Sequence, residues 1–423
     1  MFDDVYSGRR VFVTGHTGFK GSWLTQWLLD LGADVTGYAL APPTEPNLFE
    51  AAGIGAAEAG RPMGAGRFTD LRADVRERRA LGQALETAAP EIVFHLAAQP
   101  LVRRSYAEPH LTYETNVMGT VNLLEEVRAL AASGRGPRAV VNVTSDKCYQ
   151  NLETGHAYVE ADAMGGFDPY SSSKGCSELV TAAYRRSFFS APGMPLVATA
   201  RAGNVIGGGD WGEDRILPDC ARALSAGVPI EVRNPGAVRP WQHVLESLSG
   251  YLSLGANLWR HAAEVGHEEG VLDGAWNFGP GAEYNVTVRE VVDLFVNAWG
   301  GGEWRPAPEA AGQPHEAGLL VLDASKAERE LGWRTSWSVI EAVGAAGRWY
   351  AEFYRGADPD ALLAHCRADI AAYCDAAARR GAARRGLARA VAVLGKGHLK
   401  CSFPFLSIPP SSPHRFQVSP PHK

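Results

Sequence analysis

Short runs of apolar, often β-branched residues recur along the chain, with amphipathic stretches between them. Residues 10–14 (RVFVT), 34–40, 92–97 (IVFHLA), 139–144 (AVVNVT) and 196–200 are such runs. Residues 23–31, 75–88, 113–132 and 173–188 carry apolar positions at helical spacing. A strand with one wet face would alternate apolar and polar residues, so near-continuous apolar strands separated by helices predict a parallel sheet covered on both faces. The expected fold class is α/β, a doubly wound parallel sheet of Rossmann-like type with a smaller C-terminal lobe. No repeat of solenoid period interrupts the pattern.

A chain of 423 residues accommodates roughly two to three domains of about 150 residues. The expected division is a Rossmann-like domain over 1–205, a smaller lobe over 206–375, and a tail over 376–423. Asp375 is the last acidic residue; Arg379-Arg380, Arg384-Arg385 and a Pro/Ser/His-rich end follow, a composition that predicts a disordered, basic appendage. The net charge of −6 is too modest for a strong nucleic-acid or membrane field and favours small-molecule partners. Six scattered cysteines without CxxC or Cys/His spacing predict reduced thiols and no metal site. Asp3 and Asp4 precede the first strand where a signal peptide would be apolar, and no run is long enough to span a bilayer, so a cytoplasmic location is expected.

Directly after the first strand comes Thr14-Gly15-His16-Thr17-Gly18-Phe19-Lys20-Gly21. Gly15 suits a tight turn, Gly18 a close approach of pyrophosphate and Gly21 helix–sheet packing, with phosphate on the helix N-terminus. A plain turn with a helix cap is the alternative. The second strand ends Gly37-Tyr38-Ala39-Leu40 with neither a ribose-binding acid nor an arginine for a 2′-phosphate; NAD is the preferred cofactor. Downstream, Thr144-Ser145-Asp146-Lys147 is followed by Tyr170 and Lys174. One helical turn separates Tyr170 from Lys174, where an ammonium lowers a phenol from about 10 toward neutrality and makes it a base.

Gly15, Gly18, Gly21, the segment HLAAQP (95–100), Asn116, Ser145, Tyr170 and Lys174 together resemble the extended branch of the short-chain dehydrogenase/reductase superfamily. HLAAQPLVRRSY (95–106), TSDKCYQN (144–151), DPYSSSKGCSE (168–178), RAGNVIGGGDW (201–211) and RPWQHVLE (239–246) closely resemble the CDP-glucose 4,6-dehydratase family, over residues 8 to 375 in consistent order. The resemblance implies NAD as cofactor, a nucleotide sugar as substrate, a homodimer, and a place in deoxysugar formation for surface polysaccharides or glycosylated metabolites. It implies oxidation at C4, elimination of water across C5 and C6, and return of the hydride to C6.

In that chemistry Tyr170 removes the 4-hydroxyl proton, Ser145 hydrogen-bonds the same oxygen, and Asp146 serves as acid at C6. Related dehydratases carry Asp-Glu where this chain has Asp146-Lys147, so Lys147 is the C5 base, a stabiliser of the enolate, or half of a structural ion pair. Asp74 matches the position that meets adenine, with helix capping as the alternative. Ala97 and Ala98 leave room for the cofactor, and His95 reads as a satisfied core histidine. Asn116 is a candidate near the sugar, against an asparagine bonding to backbone. Asn204, Arg215, Arg239 and His243 are candidates for the sugar nucleotide, since a diphosphate calls for guanidinium donors. Two rival functions remain. One is another nucleotide-sugar 4,6-dehydratase or a 4-epimerase; the other is a non-catalytic NAD-binding regulatory protein.

Overall fold

The computed structural model describes residues 2–55, 65–264, 272–308 and 320–394. Strands β1 (Arg10–Thr14), β2 (Asp34–Ala39), β3 (Phe68–Arg72), β4 (Ile92–His95) and β5 (Ala139–Val143) alternate with α1 (Phe19–Asp30), α2 (Leu48–Ala51), α3 (Arg78–Ala88), α4 (Val102–Ala107), α5 (Pro109–Tyr113) and α6 (Gly119–Ala132). The short β6 (Ala157–Tyr158) precedes α7 (Pro169–Phe188) and β7 (Leu196–Ala202). Beyond these come β8 (Val205–Ile206), α8 (Ile216–Ser225), β9 (Ile230–Val232), β10 (Val238–Pro240), β11 (Gln242–His243), α9 (Val244–Glu264) and β12 (Gly274–Phe278). The chain continues through β13 (Asn285–Thr287), α10 (Val288–Trp299), β14 (Trp304–Pro306), β15 (Val321–Leu322), α11 (Val339–Tyr354) and α12 (Pro359–Leu394).

Seven strands form one parallel sheet in the order β12-β7-β5-β4-β1-β2-β3. The pairing explains the continuous apolar runs. Val11 and Val13 point into one core with Trp23 and Trp27 of α1, while Phe12 between them joins Leu81, Leu85, Leu123 and Val127 on the other face. Val141 and Val140 divide in the same way. Both faces are covered, so the central strands stay apolar at successive positions.

Residues 1–378 gather into one unit and residues 379–423 into a second. The expected tail begins inside α12, which continues to Leu394; the rest of it lies outside the described residues. Residues after 205 do not all leave the sheet. α9 and β12 return to it, with Tyr6 Oη donating to Leu252 O at 2.6 Å and β12 pairing β7. Away from it, four two-stranded pairings are described: β6–β15, and β8–β11, β9–β14 and β10–β13, the last three accompanying α8, α10 and α11. Among the described residues no helix is long and apolar enough to cross a membrane.

The strand order reverses between β1 and β4, where connections depart in opposite directions and leave a crevice at the strands' carboxyl ends. Thr14 and His95 stand opposite each other there. The glycine loop and the segment after β4 therefore meet at the crevice.

Candidate active site

The loop is built by contacts that only glycine permits. A Cβ on Gly15, whose φ is +75°, would stand 2.7 Å from Ala97 N, and one on Gly21 would stand 2.1 Å from Gly15 O. Gly18, the N-cap of α1, has no side-chain cap, and a Cβ there would meet Gly15 O at 3.4 Å. The first N–H groups of a twelve-residue helix thus face an open cradle, the arrangement that receives a diphosphate. Thr14 Oγ1 accepts the Leu96 and Ala97 N–H groups at 3.1 Å each and meets His95 Nδ1 at 2.7 Å. His95 is a core histidine as expected, held near 3 by burial and so neutral. The residues present fit a dinucleotide.

Asp74 follows β3, and its backbone carbonyl accepts Tyr38 Oη at 3.0 Å. It does not cap α3, whose N-cap is Glu77. Its carboxylate accepts Arg76 N and Arg76 Nε, each at 2.9 Å. His16 lies across Gly37, where a Cβ would come within 2.5 Å of the ring, and its Nε2 is 2.8 Å from Asp70 Oδ1.

Ser145 leaves the end of β5 and caps a single 3₁₀ turn, Asp146–Cys148, its Oγ accepting Lys147 N at 3.2 Å. The same Oγ donates to Asp146 Oδ1 at 2.8 Å. Lys147 is half-buried. Tyr170 lies in the first turn of α7, which Asp168 caps by accepting Ser171 N, and its phenol is buried close enough to Ser145 for the serine to lower its proton affinity. Lys174, one turn on, donates to Val143 O at 3.3 Å. Ser145, Asp146, Tyr170 and Lys174 thus converge as the spacing predicts.

The expected titration differs. Burial pushes the Tyr170 phenol up to about 12, opposed by Ser145 and the positive charge of Arg215. Burial also brings Lys174 down to about 8, opposed by Glu178. Desolvation of the phenolate outweighs the help of a cation one turn away, so the residues of the chain alone leave Tyr170 protonated at neutral pH.

Asn116 sits in a π-helical turn, Glu114–Met118, that joins α5 to α6. Its amide is consumed by the protein: Oδ1 accepts Gln99 N at 2.8 Å, and Nδ2 donates to Gln99 O at 3.1 Å and Ser173 Oγ at 2.8 Å. It ties the segment after β4 to α7, as the backbone-bonding alternative had it, with both Nδ2 hydrogens and one lone pair of Oδ1 engaged by the protein. His243 stands apart from the other substrate candidates. It has no exposed surface, packs between Trp23 and Trp337, and accepts Leu245 N on Nδ1 at 3.3 Å, so it belongs to the core. Arg215, paired with Asp210 at 2.5 Å, stays close enough to act electrostatically on Tyr170. Arg239 is half-buried on β10 and Asn204 is exposed between β7 and β8.

Two features escaped the sequence. Glu178, one turn beyond Lys174, accepts Thr144 Oγ1, Thr199 Oγ1 at 2.7 Å and Arg201 Nη2 at 2.8 Å, all buried. The second is Lys20, in the first turn of α1 within the GxxGxxG segment, whose Nζ donates to Tyr251 Oη at 3.3 Å and whose proton affinity burial brings down to about 8. A lysine in a loop that otherwise recruits backbone N–H groups was the available signal.

The family model described as GDP-mannose 4,6 dehydratase matches residues 12–345. A CDP-glucose 4,6-dehydratase of Salmonella typhimurium is 45% identical over 383 residues, covering 88% of this chain and 98% of that protein. The solved UDP-glucose 4-epimerase of Thermus thermophilus in complex with NAD superposes with a TM-score of 0.63 at 26% identity, over 82% of this chain and 99% of that one. DesIV, a dTDP-glucose 4,6-dehydratase of Streptomyces venezuelae with NAD and TYD bound, does so with 0.62 at 25% identity, over 81% and 97%. With glycine cradle, Ser145, Tyr170 and Lys174 in place, the chain belongs to the GDP-mannose 4,6-dehydratase family, within the extended short-chain dehydrogenase/reductases.

Proposed function

We propose that the chain is an NAD-dependent CDP-glucose 4,6-dehydratase, a hydro-lyase yielding CDP-4-dehydro-6-deoxyglucose and water. The observation that carries this reading is the Ser145–Asp146 hydrogen bond beside Tyr170. It joins a group that handles the 4-hydroxyl proton to a carboxylate able to serve C6. A 4-epimerase needs the first and has no use for the second. Identity of 45% across nearly the whole length of a CDP-glucose 4,6-dehydratase supports CDP as the nucleotide.

Gly15, Gly18 and Gly21 would hold the diphosphate of NAD, with Asp74 toward adenine and Ala97 and Ala98 lining the bed. NAD, when bound, supplies the two-electron acceptor for C4 and, while oxidised, the positive charge that favours the phenolate. Tyr170 takes the 4-hydroxyl proton while Ser145 hydrogen-bonds the same oxygen and Lys174 anchors the helix to Val143. The resulting 4-ketone acidifies the C5 hydrogen. Asp146 then protonates the departing C6 oxygen. Lys147 serves the C5 step as base or as the cation that steadies the enolate; persistence of C5 exchange with solvent in Lys147→Met would leave the second role. Asn204, Arg215 and Arg239 are the proposed contacts of the sugar nucleotide, in a lobe drawn mainly from residues 206–375. A homodimer is proposed on the resemblance alone.

Incubation with CDP-glucose followed by mass analysis tests the reading. Loss of water supports dehydration. Unchanged mass with inverted C4 points to epimerisation, and unchanged substrate to a binding protein.

A further inference from the structure

In a doubly wound fold the adenosine ribose of a dinucleotide is read at the end of the second strand, where an acid meets the 2′-hydroxyl or an arginine meets a 2′-phosphate. β2 ends in Ala39, whose methyl side chain can do neither. The neighbouring strand fills the position. Arg72, the last residue of β3, stands in register with Ala39. Its Nη1 donates to Leu40 O at 3.4 Å, and Thr17 Oγ1 of the glycine loop donates to the same oxygen at 3.0 Å. The guanidinium is therefore one carbonyl oxygen away from the cradle of the diphosphate. Asp74, the proposed adenine contact, is two residues further along the chain.

The Arg72 side chain is fixed in place by its neighbours. Asp70 Oδ2 accepts its Nε at 2.9 Å and pairs with its Nη2 at 2.7 Å, and the guanidinium lies 4.9 Å from the centre of the Phe49 ring. The side chain still keeps 38% of its surface. A guanidinium has five N–H groups, and the bonds to Asp70 and Leu40 engage three, which leaves a two-pronged donor edge for a ligand. Asp70 is occupied on both oxygens, its Oδ1 standing 2.8 Å from His16 Nε2. Together Arg72 and Asp70 carry no net charge. A neutral donor edge suits hydroxyls, whereas a phosphate dianion meets an arginine whose charge Asp70 already balances.

We propose that Arg72 binds the adenosine ribose of the dinucleotide and that Asp70, by balancing the Arg72 charge, makes the site select NAD over NADP. The inference rests on the reading that the glycine cradle holds NAD. The arginine is held flat on Phe49 beside the end of β2, the placement that recognition of a 2′-phosphate needs. Asp70 turns that placement to the opposite use. Its carboxylate takes two of the guanidinium N–H groups and repels a second anion brought to the same arginine. The acid and the arginine that decide between the two cofactors thus both stand on β3, and their ion pair sets the choice.

The test is calorimetric titration of the full-length protein, cleared of any carried nucleotide, with NAD and with NADP. The unaltered chain should bind NAD more tightly than NADP by about tenfold or more, the scale of one charge-assisted hydrogen bond. Asp70→Asn removes the charge and keeps an acceptor for Arg72, because the His16 imidazole can take either role on Nε2. It should tighten NADP by about tenfold or more and so narrow the preference. Arg72→Met keeps an apolar stem over Phe49; it should weaken NAD by about tenfold, and added to Asp70→Asn it should abolish the gain in NADP. Thermal melts taken alongside show that each variant is folded, and Asp70→Asn tests the selection even where Arg72→Met is not. An NADP affinity unmoved by Asp70→Asn would overturn the proposal, and so would a gain that survives in the double variant. NAD binding unchanged in folded Arg72→Met would overturn it in favour of an ion pair that only braces the edge strand. If the unaltered chain binds neither dinucleotide, the cofactor reading itself fails and this selection falls with it.

Discussion

The Arg201 guanidinium lies 2.8 Å from the Glu178 carboxylate, and neither side chain reaches solvent. Through Glu178 the pair reaches the Thr144 hydroxyl at the end of β5 and the Thr199 hydroxyl on β7. It locks α7, which carries Tyr170 and Lys174, to the strand end that carries Ser145. Arg201→Met strands a buried carboxylate, so it should destabilise the fold by about 3–5 kcal/mol. Denaturant unfolding checks this; a loss under about 1 kcal/mol, the worth of an exposed pair, would contradict it.

Asn116 clamps the segment after β4 to α7, and its removal leaves the Gln99 N–H buried without its acceptor. Asn116→Ala should cost about 1–3 kcal/mol of stability. kcat should fall while KM for CDP-glucose stays within about threefold, well under the 1.4 kcal/mol of a tenfold change. A tenfold rise in KM at unchanged stability would return Asn116 to the sugar.

The fold was largely legible. Apolar strands that ran without alternation at Val11, Phe12 and Val13 meant two covered faces, and both cores are there. The return of α9 and β12 to the sheet was not legible, because periodicity reports burial and not which strand a segment pairs. Ser145, Tyr170 and Lys174 were legible from spacing. Their proton affinities were not: one turn of helix fixes neighbours, but the burial that pushes Tyr170 to about 12 comes from the whole fold around it. The packing of His243 and the clamp made by Asn116 were not legible for a related reason. A polar residue in a motif looks available until its partners are known, and Trp23, Trp337, Gln99 and Ser173 are distant in sequence.

Asp369 of α12 is buried, with His365 Nε2 3.6 Å from its Oδ2. Burial raises its carboxyl from 3.8 to about 6, only partly offset by His365 and Arg348. The fold thus favours the neutral acid: its contribution is fully present below the unfolded value of 3.8 and is lost as pH rises through about 6. Asp369→Asn stays neutral throughout. It should melt higher than the parent at pH 8, by up to about 3 kcal/mol in stability, with the difference vanishing toward pH 4. Thermal melts at both values check the sign; an Asn variant less stable at pH 8 would contradict it.

Tyr170→Phe keeps the ring packing and removes the proton acceptor. Single-turnover formation of bound NADH from CDP-glucose should slow by about 10²-fold or more, the usual scale of a general base, while NAD and CDP-glucose still bind. Near-native NADH formation would remove Tyr170 from the C4 step.

The central claim is that one site oxidises C4, eliminates water across C5 and C6, and returns the hydride. Conversion of CDP-[4-²H]glucose in ordinary water, and of unlabelled CDP-glucose in deuterated water, tests it most directly by NMR of the product. The label from C4 should appear at C6, solvent deuterium should appear at C5, and NADH should not accumulate. Loss of the C4 label to solvent, or NADH building up in step with product, would contradict it.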